Sequence, residues 1–239
     1  MQAALEDDAL DLLYLNAVDG WKERCRTSVC WFDELWVADL PHCKYWLHAL
    51  NRFDHVFIGY ESSVEAVSHA LGRRCHWTGA GVDALRFTPF PTPPERVVDV
   101  YYIGRTLEGI DHALRREAET QRLFYVHDTV RGSQLEPRDH RQHRDLLANV
   151  AKRSRYFVVA PGKFDLPTET AGQIELGYRY YEGSAAGVVM IGQTARCRSF
   201  GLHFDWPDAV IDVKRDGSDI VEVLSALNAQ PERLAEIGR

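Results

Sequence analysis

The sequence predicts an α/β fold, in which a doubly wound, Rossmann-like domain follows a smaller, reduced α/β domain. Short runs of β-branched and aromatic residues alternate with helical stretches along the chain, which is typical of βαβ units and a largely parallel sheet. Residues 87–94 contain four prolines and interrupt this alternation. Because proline removes a backbone donor and stiffens the chain, we interpret this stretch as a linker and expect domains at residues 1–85 and 86–239.

The first domain is expected to contain three short strands joined by helices. Strands are predicted at residues 28–32, 54–59 and 75–78, and helices at residues 41–50 and 62–71. The second helix has Ser62 and Ser63 as candidate N-caps, Glu65 in its first turn and Gly72 at its end. These residue types favour a helix that begins and stops at those positions.

The second domain is expected to contain a sheet flanked by helices. Its strands are predicted at residues 97–103, 122–127, 156–160, 188–191 and 210–213. Its helices are predicted at residues 111–119, 138–153, 178–186, 220–227 and 231–237. With about 150 residues, this part of the chain has the size of a complete doubly wound domain.

Composition indicates a globular protein and argues against several classes of function. Hydrophobic residues make up 45% of the 239 residues and charged residues 26%, which is enough apolar material for a folded core. The net charge of −7 argues against a nucleic-acid partner, and no apolar run approaches the roughly 20 residues of a membrane span. The acidic N-terminus lacks the cationic region of a secretory signal. The five cysteines are odd in number and widely spread, so we expect reduced thiols and a cytoplasmic protein.

The sequence leads us to expect no metal ion and no other cofactor. Cys25 and Cys30 have no second cysteine pair that would complete a zinc site. His140 and His143 lie three residues apart on a predicted helix and could bind a metal, but no third ligand is evident. A basic helix face in contact with solvent is the favoured interpretation of that segment.

Cationic residues follow two of the predicted strands in the second domain. Gly104 and Arg105 end one strand, and Lys163 follows the turn after another. Ligands of doubly wound sheets bind beyond the carboxyl ends of the strands, so both cations are expected at one crevice. Arginine can bind a diphosphate with two parallel hydrogen bonds, and lysine adds a point charge. The predicted helix that begins near Tyr178 would direct its first backbone N–H groups at the same anion.

Two glutamates flank the start of that helix. Glu175 and Glu182 are seven positions apart, which is two helical turns, so both can face one side. Carboxylates beside a phosphate site suit the hydroxyls of a sugar, and we expect Glu182 to bind ribose and Glu175 to bind a transferred sugar. His127 and Asp128 end another predicted strand and are candidates for the base or sugar pocket. Each of these residues taken singly is also typical of an ordinary surface turn or helix face.

Four segments carry the pattern of the second domain: GVDALRFTP at residues 81–89, YIGR at 102–105, VVAPGK at 158–163 and ELGYRYYEGSAAGVVMIG at 175–192. Together they resemble the donor domain of retaining GT-B glycosyltransferases of group 1, most of all those of the spore-maturation type. The last of them is similar to the family's E-x7-E donor motif. The resemblance covers residues 28–239, is strongest at residues 79–191 and implies a GT-B-like fold.

The resemblance also implies roles for individual residues. Arg105 and Lys163 would bind the diphosphate of a UDP- or GDP-sugar, and together with Glu175 they would carry the catalysis. Glu182 would bind the ribose, and Glu175 with the neighbouring backbone would hold the donor sugar. The other residues expected in the donor site are Gly104, Gly177, Tyr178, Arg179, Gly183 and Ser184. Transfer would be metal-independent and retaining, to an unidentified acceptor such as a glycan or a small molecule.

Two departures from the family pattern leave alternatives open. Six residues separate Glu175 from Glu182 where the family has seven, and no glycine-rich loop follows the first predicted strand. The family's helix that crosses back to the first domain is also missing from the pattern. The alternatives are a transferase with a reduced acceptor-side domain, a non-catalytic nucleotide-sugar-binding module, and a fragment that needs a partner, including a second copy of itself. A GT-B-fold epimerase is a further hypothesis, but no paired acid and base residues favour it.

Overall fold

The computed structural model describes residues 25–130 and 139–239 of the chain. The first 24 residues of the predicted domain 1–85 lie outside this part, and with them the segment for which we expect no secretory signal. The first residue of the helix predicted at 138–153 also lies outside it. The described residues form two compact units. Unit 1 runs to Ala80 and includes Thr168–Gln173, and unit 2 comprises Gly81–Pro167 and Ile174–Arg239. The units divide between residues 80 and 81, five residues before the predicted boundary between 85 and 86. The sequence does not predict that Thr168–Gln173 belongs to unit 1.

Unit 1 is built on a three-stranded parallel sheet in the order β1-β2-β3. The strands are β1 (Val29–Phe32), β2 (His55–Ile58) and β3 (His76–Trp77). The helical segments are two 3-10 turns (Val37–His42 and Glu61–Ser63), α1 (Lys44–Leu50) and α2 (Val64–Leu71). The segment predicted as one helix at residues 41–50 is therefore the end of a 3-10 turn followed by α1.

The backbone of unit 1 explains why glycine occupies two of its positions, and it shows how the predicted N-cap of α2 is used. A Cβ atom on Gly59 would lie 2.1 Å from the carbonyl oxygen of Asp33, so only glycine fits where the chain leaves β2. Gly72 ends α2 in the left-handed conformation, with φ +65°, as the sequence predicts. Ser63 is the N-cap residue of α2, as predicted, but it does not cap the helix, because its Oγ donates to Leu35 O at 2.6 Å and makes no bond to α2. Its partner is a buried carbonyl far away in the sequence.

Unit 2 contains a five-stranded parallel sheet in the order β5-β4-β6-β7-β8. The strands are β4 (Val98–Arg105), β5 (Tyr125–Val130), β6 (Ser154–Val159), β7 (Val189–Gly192) and β8 (Ile211–Asp212). The helices are α3 (Ala84–Phe87), α4 (Glu108–Glu119), α5 (His140–Lys152), α6 (Pro167–Thr170), α7 (Tyr178–Ala185), α8 (Arg198–His203), α9 (Ile220–Asn228) and α10 (Pro231–Ile237).

The α/β class with parallel sheets is thus confirmed. The short helices α3, α6 and α8 escape prediction because four to six residues are too few to show a hydrophobic period.

Helices cover both faces of the five-stranded sheet. Alternate residues of β4 point to opposite faces, so that Tyr101 and Ile103 join a core with α5 and α7, while Val100 and Tyr102 join a core with α4 and α9. The almost continuous burial along β6 and β7 reflects the same double coverage. In the described part of the chain, no helix combines the length and apolarity that crossing a membrane requires.

The strand order of unit 2 reverses between β4 and β6. From β4 the chain passes through α4 to β5 on one side, and then through α5 to β6 on the other side of β4. Connections that leave in opposite directions open a crevice at the carboxyl ends of the two strands, where doubly wound proteins bind ligands. We refer to the carboxyl ends of β4 and β6 as the switch point.

Alanine in place of Gly109 is expected to destabilise unit 2. A Cβ atom on Gly109, in the first turn of α4, would lie 2.4 Å from the carbonyl carbon of Asp216. We expect Gly109→Ala to lower the free energy of unfolding by about 1–3 kcal/mol. Gly201 on α8 is the matched control, because nothing lies within 4 Å of its Cβ position. Gly201→Ala should leave stability unchanged or raise it by up to about 1 kcal/mol. Urea unfolding followed by far-UV circular dichroism measures both, and equal stability of the two variants would contradict the contact.

Candidate functional site

The switch point carries the two cations predicted from the strand ends. β4 ends at Gly104 and Arg105, and the loop that follows β6 contains Lys163. Gly104 has φ +96°, a left-handed conformation that favours glycine. Because β4 and β6 are hydrogen-bonded neighbours, Arg105 and Lys163 follow adjacent strand ends at the same edge of the sheet.

Lys163 is held in an uncommon backbone conformation. Its φ of +48° is rare for a residue other than glycine, and its side chain is 7% exposed. Leu166 N donates to Lys163 O at 2.9 Å and closes the turn. Such conformations cost about 1–3 kcal/mol and persist where the surrounding structure enforces them, often at functional sites. A buried ammonium needs anionic or polar partners, so the surroundings of Lys163 must be polar.

The start of α7 is locked against the loop that carries Lys163. Gly162 N donates to Glu175 O at 2.9 Å, and a Cβ atom on Gly177 would lie 3.2 Å from Ala160 O. The first turn of α7 contains no acidic residue, and its N-cap residue, Gly177, has no side chain. The first N–H groups of α7 and the positive end of its dipole therefore lie beside the end of β6.

Arg105 is paired with a carboxylate that the sequence analysis did not include. Its Nη1 lies 3.1 Å from each carboxylate oxygen of Asp165, and each side chain is 27% exposed. Asp165 belongs to the same loop as Lys163, so this loop supplies both a cation and a counter-charge. A partly exposed pair of this kind is worth about 1 kcal/mol or less, so a phosphate group can replace the carboxylate at little cost.

Glu182 is the centre of a buried ion-pair network. Arg144 Nη1 donates to its Oε1 and Arg179 Nη1 donates to its Oε2, while Glu182 itself is 1% exposed. A Cβ atom on Gly104 would lie 3.6 Å from Arg179 Nε, so the network borders the end of β4. In this arrangement neither carboxylate oxygen is open to a ribose hydroxyl, and the ribose role of Glu182 stays a prediction.

Arg144 is the candidate residue that the sequence analysis missed. It belongs to the basic segment at the start of α5, which the sequence analysis interprets as a face in contact with solvent. Its guanidinium instead lies over the ring of Phe87, 5.2 Å from the centroid, and reaches Glu182 on α7. A signal was present, because Arg144 stands three and four positions before Leu147 and Ala148, which are buried against the sheet.

Gly183 and Ser184, which follow Glu182 on α7, contact other parts of unit 2. A Cβ atom on Gly183 would lie 2.9 Å from Met190 Cγ and 3.0 Å from Phe157 Cδ1, so Gly183 lets the helix pack closely on the sheet. Ser184 lines a separate cavity of about 270 Å³ together with Trp206 and residues 187 and 188, just before β7. The structure therefore places Gly183 at a packing contact with the sheet and Ser184 at this cavity.

Glu175 and Tyr178 lie at the start of α7 but differ in exposure. Glu175 is 1% exposed, whereas Tyr178 is 42% exposed. Burial raises the pKa of Tyr181 to about 12, with smaller contributions from Cys197 and Glu175, so the carboxylate of Glu175 lies near that hydroxyl. The sugar-binding role of Glu175 stays a prediction.

His127 and Asp128 are exposed residues of β5, next to the end of β4. Asp128 pairs in register with Ile103. His127 Nδ1 lies 3.2 Å from Arg115 Nη2, on the face covered by α4, and Asp128 Oδ2 lies 3.9 Å from His143 Nε2, on the face covered by α5. The two adjacent side chains therefore point to opposite faces of the sheet, and a single pocket formed by both is not what the structure shows.

Asp128 is nevertheless close to the network around Glu182. Burial raises the pKa of the Tyr101 hydroxyl, the positive charge of Arg179 opposes this rise, and the charges of Asp128 and Glu182 add to it. All three charged groups therefore lie within electrostatic reach of one hydroxyl on β4. Of the two residues predicted for a base or sugar pocket, Asp128 is the one that borders the switch point.

The chemistry of this region suits an anionic ligand. Arg105, Lys163, Arg179 and Arg144 gather around the ends of β4 and β6, beside the N-terminus of α7. Guanidinium groups and helix N-termini are the groups with which proteins bind phosphates. Within residues 25–130 and 139–239, no three His, Cys, Asp or Glu side chains are grouped so as to hold a metal ion.

Comparisons with known proteins do not assign the chain to a family. No protein-family model matches the sequence, and no curated protein is significantly similar to it. The resemblance to group 1 glycosyltransferases stays a prediction.

Asp165→Asn is expected to strengthen the binding of inorganic pyrophosphate. The amide no longer competes for Arg105, and loss of about 1 kcal/mol of competing ion pairing corresponds to roughly fivefold tighter binding. Asp208→Asn is the matched control, since Asp208 pairs with Arg233 between the end of the chain and the segment before β8, with Oδ2 2.7 Å from Nη2. Isothermal titration calorimetry measures both variants, and unchanged or weaker binding by Asp165→Asn would show that Arg105 does not contact the anion.

Proposed function

We propose that the chain is a glycosyltransferase of the GT-B type, which binds a UDP- or GDP-sugar at the switch point of unit 2 and transfers the sugar to an acceptor. The observation that carries the proposal is the convergence of Arg105, Lys163 and the N-terminus of α7 on one edge of the sheet. These groups come from three separate stretches of the chain. Doubly wound domains hold the phosphates of nucleotides at this position and with these kinds of group.

The proposed chemistry is electrostatic stabilisation of the leaving diphosphate. When the bond between the sugar and the diphosphate breaks, negative charge grows on the phosphate oxygens. Arg105 can share that charge through two hydrogen bonds, Lys163 adds a point charge, and the first N–H groups of α7 donate to the same oxygens. Three fixed positive groups can take the part that a divalent cation plays in other transferases, so the proposed reaction is metal-independent.

The proposed donor sugar lies beside the start of α7. There Glu175 and the backbone of Gly177 and Tyr178 would hold its hydroxyls, as the resemblance implies. The tight contact between Gly177 and the loop after β6 supports this position, because it keeps the backbone of the helix start next to Lys163. Retention of the anomeric configuration is part of the same proposal.

A nucleotide-sugar-binding module without catalysis is the second candidate. It is favoured by the turn after β1, which runs through Asp33 to Trp36 and contains no glycine. The family that the chain resembles uses a glycine-rich loop at that place on the acceptor side. A binding module would need the donor site of unit 2 and no acceptor site.

Stabilisation and turnover together test the two candidates. A bound nucleotide sugar at a hundred times its Kd should raise the free energy of unfolding by about 2.7 kcal/mol, which appears as a higher Tm. We expect a UDP- or GDP-sugar to give this shift, and the same sugar to release nucleoside diphosphate when acceptors are added. A Tm shift without release would support the binding module, and no shift with any nucleotide or nucleotide sugar would contradict both candidates.

Arg105→Ala and Lys163→Met should each weaken the binding of UDP while leaving the weaker binding of uridine almost unchanged. Loss of one charge-assisted contact to a phosphate costs about 1.5–3 kcal/mol, which is roughly ten- to a hundredfold in Kd. Arg155→Ala is the matched control, because Arg155 lies near the amino end of β6 and pairs with Asp99. Equal losses for UDP and uridine, measured by calorimetry, would show that these cations do not bind the diphosphate.

A further inference from the structure

The network around Glu182 combines a hidden carboxylate with two accessible cations. Glu182 is 1% exposed, while the side chain of Arg144 is 38% exposed and that of Arg179 is 27% exposed. Apolar residues in place of a buried ion pair are often as stable or more stable, so stability alone is a poor reason for this arrangement. A carboxylate that stays hidden while its cations face outward is typical of a group that holds those cations in place.

Both guanidinium groups are held by the carboxylate of Glu182, and each lies close to a second group. A guanidinium has five N–H donors, and each arginine donates to Glu182 through its Nη1. Arg144 also rests on the ring of Phe87 at 5.2 Å, and Arg179 borders the left-handed backbone of Gly104 at the end of β4. A cation that is already oriented loses little freedom when it binds a ligand.

The charges of this network do not cancel. Two guanidinium groups face one carboxylate, so one positive charge remains. Asp128 on the neighbouring strand β5 also carries a carboxylate, which is 52% exposed and lies 3.9 Å from His143 Nε2. Solvent screens an exposed charge of this kind, so the network keeps an attraction for anions.

We propose that Glu182 is a positioning residue, and that Arg144 and Arg179 form a clamp for a phosphate group of the ligand, beside Arg105 and Lys163. This inference rests on the proposed function and deepens it, because it adds Arg144 from α5 to the phosphate-binding residues. It also gives Glu182 a role other than contact with ribose. The carboxylate holds two cations that bind the ligand, and does not touch the ligand itself.

Inorganic pyrophosphate is the first probe, because it has phosphates and no ribose. Glu182→Gln removes the charge that holds both arginines, and Arg144→Met removes one of them. Each should weaken pyrophosphate binding by roughly ten- to a hundredfold. Arg141→Met removes a charge from an exposed position on the same helix and should change the Kd by less than about twofold. Contact between Glu182 and ribose predicts no change in pyrophosphate binding for Glu182→Gln.

A second comparison uses UDP and 2′-deoxyuridine diphosphate. The positioning role predicts that the ratio of the two Kd values is the same for the wild type and for Glu182→Gln. It also predicts that Arg144→Met has an effect of less than about threefold in the Glu182→Gln background, because an arginine that is no longer held contributes little. Additive effects of the two substitutions would show that Arg144 acts without Glu182.

The outcomes separate this inference from the proposed function. Failure of the wild type to bind pyrophosphate, UDP and GDP would overturn both. If the wild type binds these ligands and Arg144→Met has the same Kd for pyrophosphate as Arg141→Met, only the clamp is overturned. Unchanged pyrophosphate binding by Glu182→Gln, with loss of the preference for UDP over the deoxy form, would assign Glu182 to ribose. Far-UV circular dichroism checks the fold of each variant. Should Glu182→Gln destabilise the chain, Arg144→Met still tests the clamp, because the side chain of Arg144 is partly exposed and its replacement disturbs the core less.

Discussion

The close contact between the start of α7 and the loop after β6 determines most of the candidate site. Gly177 has no side chain, and a Cβ atom on it would lie 3.2 Å from Ala160 O, so the helix start approaches this loop closely. The bond from Gly162 N to Glu175 O fixes the register of the two segments. Since side chains on a helix are fixed relative to its first residue, this contact also determines where Arg179 and Glu182 lie.

The two ion-pair groups at the switch point differ in how easily they open. Arg105 and Asp165 are both partly exposed, so water or a phosphate can take the place of either partner. Glu182 is almost fully buried, and its carboxylate would be left unpaired if both arginines moved away. The first group is therefore suited to exchange partners when a ligand binds, and the second is suited to stay intact. A site with one replaceable carboxylate and one permanent carboxylate can bind an anion without rearranging its core.

The position of the candidate site was predictable because it depends on local patterns. A strand that ends in Gly-Arg, and another that is followed by Lys163, were visible as apolar runs with a cation after them. The residues that pair with the cations of the site could not be predicted in the same way. Arg144 and Glu182 are 38 positions apart and lie on different helices, so no local pattern connects them. The resemblance implies a place in the donor site for Gly183 and Ser184, as part of the donor-motif segment. In the structure Gly183 packs on the sheet and Ser184 lines a separate cavity, because each residue of a helix turns by about 100° and close neighbours point in different directions.

The sequence by itself determined the α/β class, the main strands and helices of the described residues, and the strand ends at which a ligand site is expected. These follow from hydrophobic period, residue preference and end signals, which act over a few neighbouring residues. The tertiary structure alone decided the order β5-β4-β6-β7-β8, the assignment of Thr168–Gln173 to unit 1, and the pairing of each cation with its carboxylate. Such features depend on contacts between residues that are distant in the chain. The strength of those contacts depends on how deeply the charged groups are buried, and burial exists only once the helices and strands have packed.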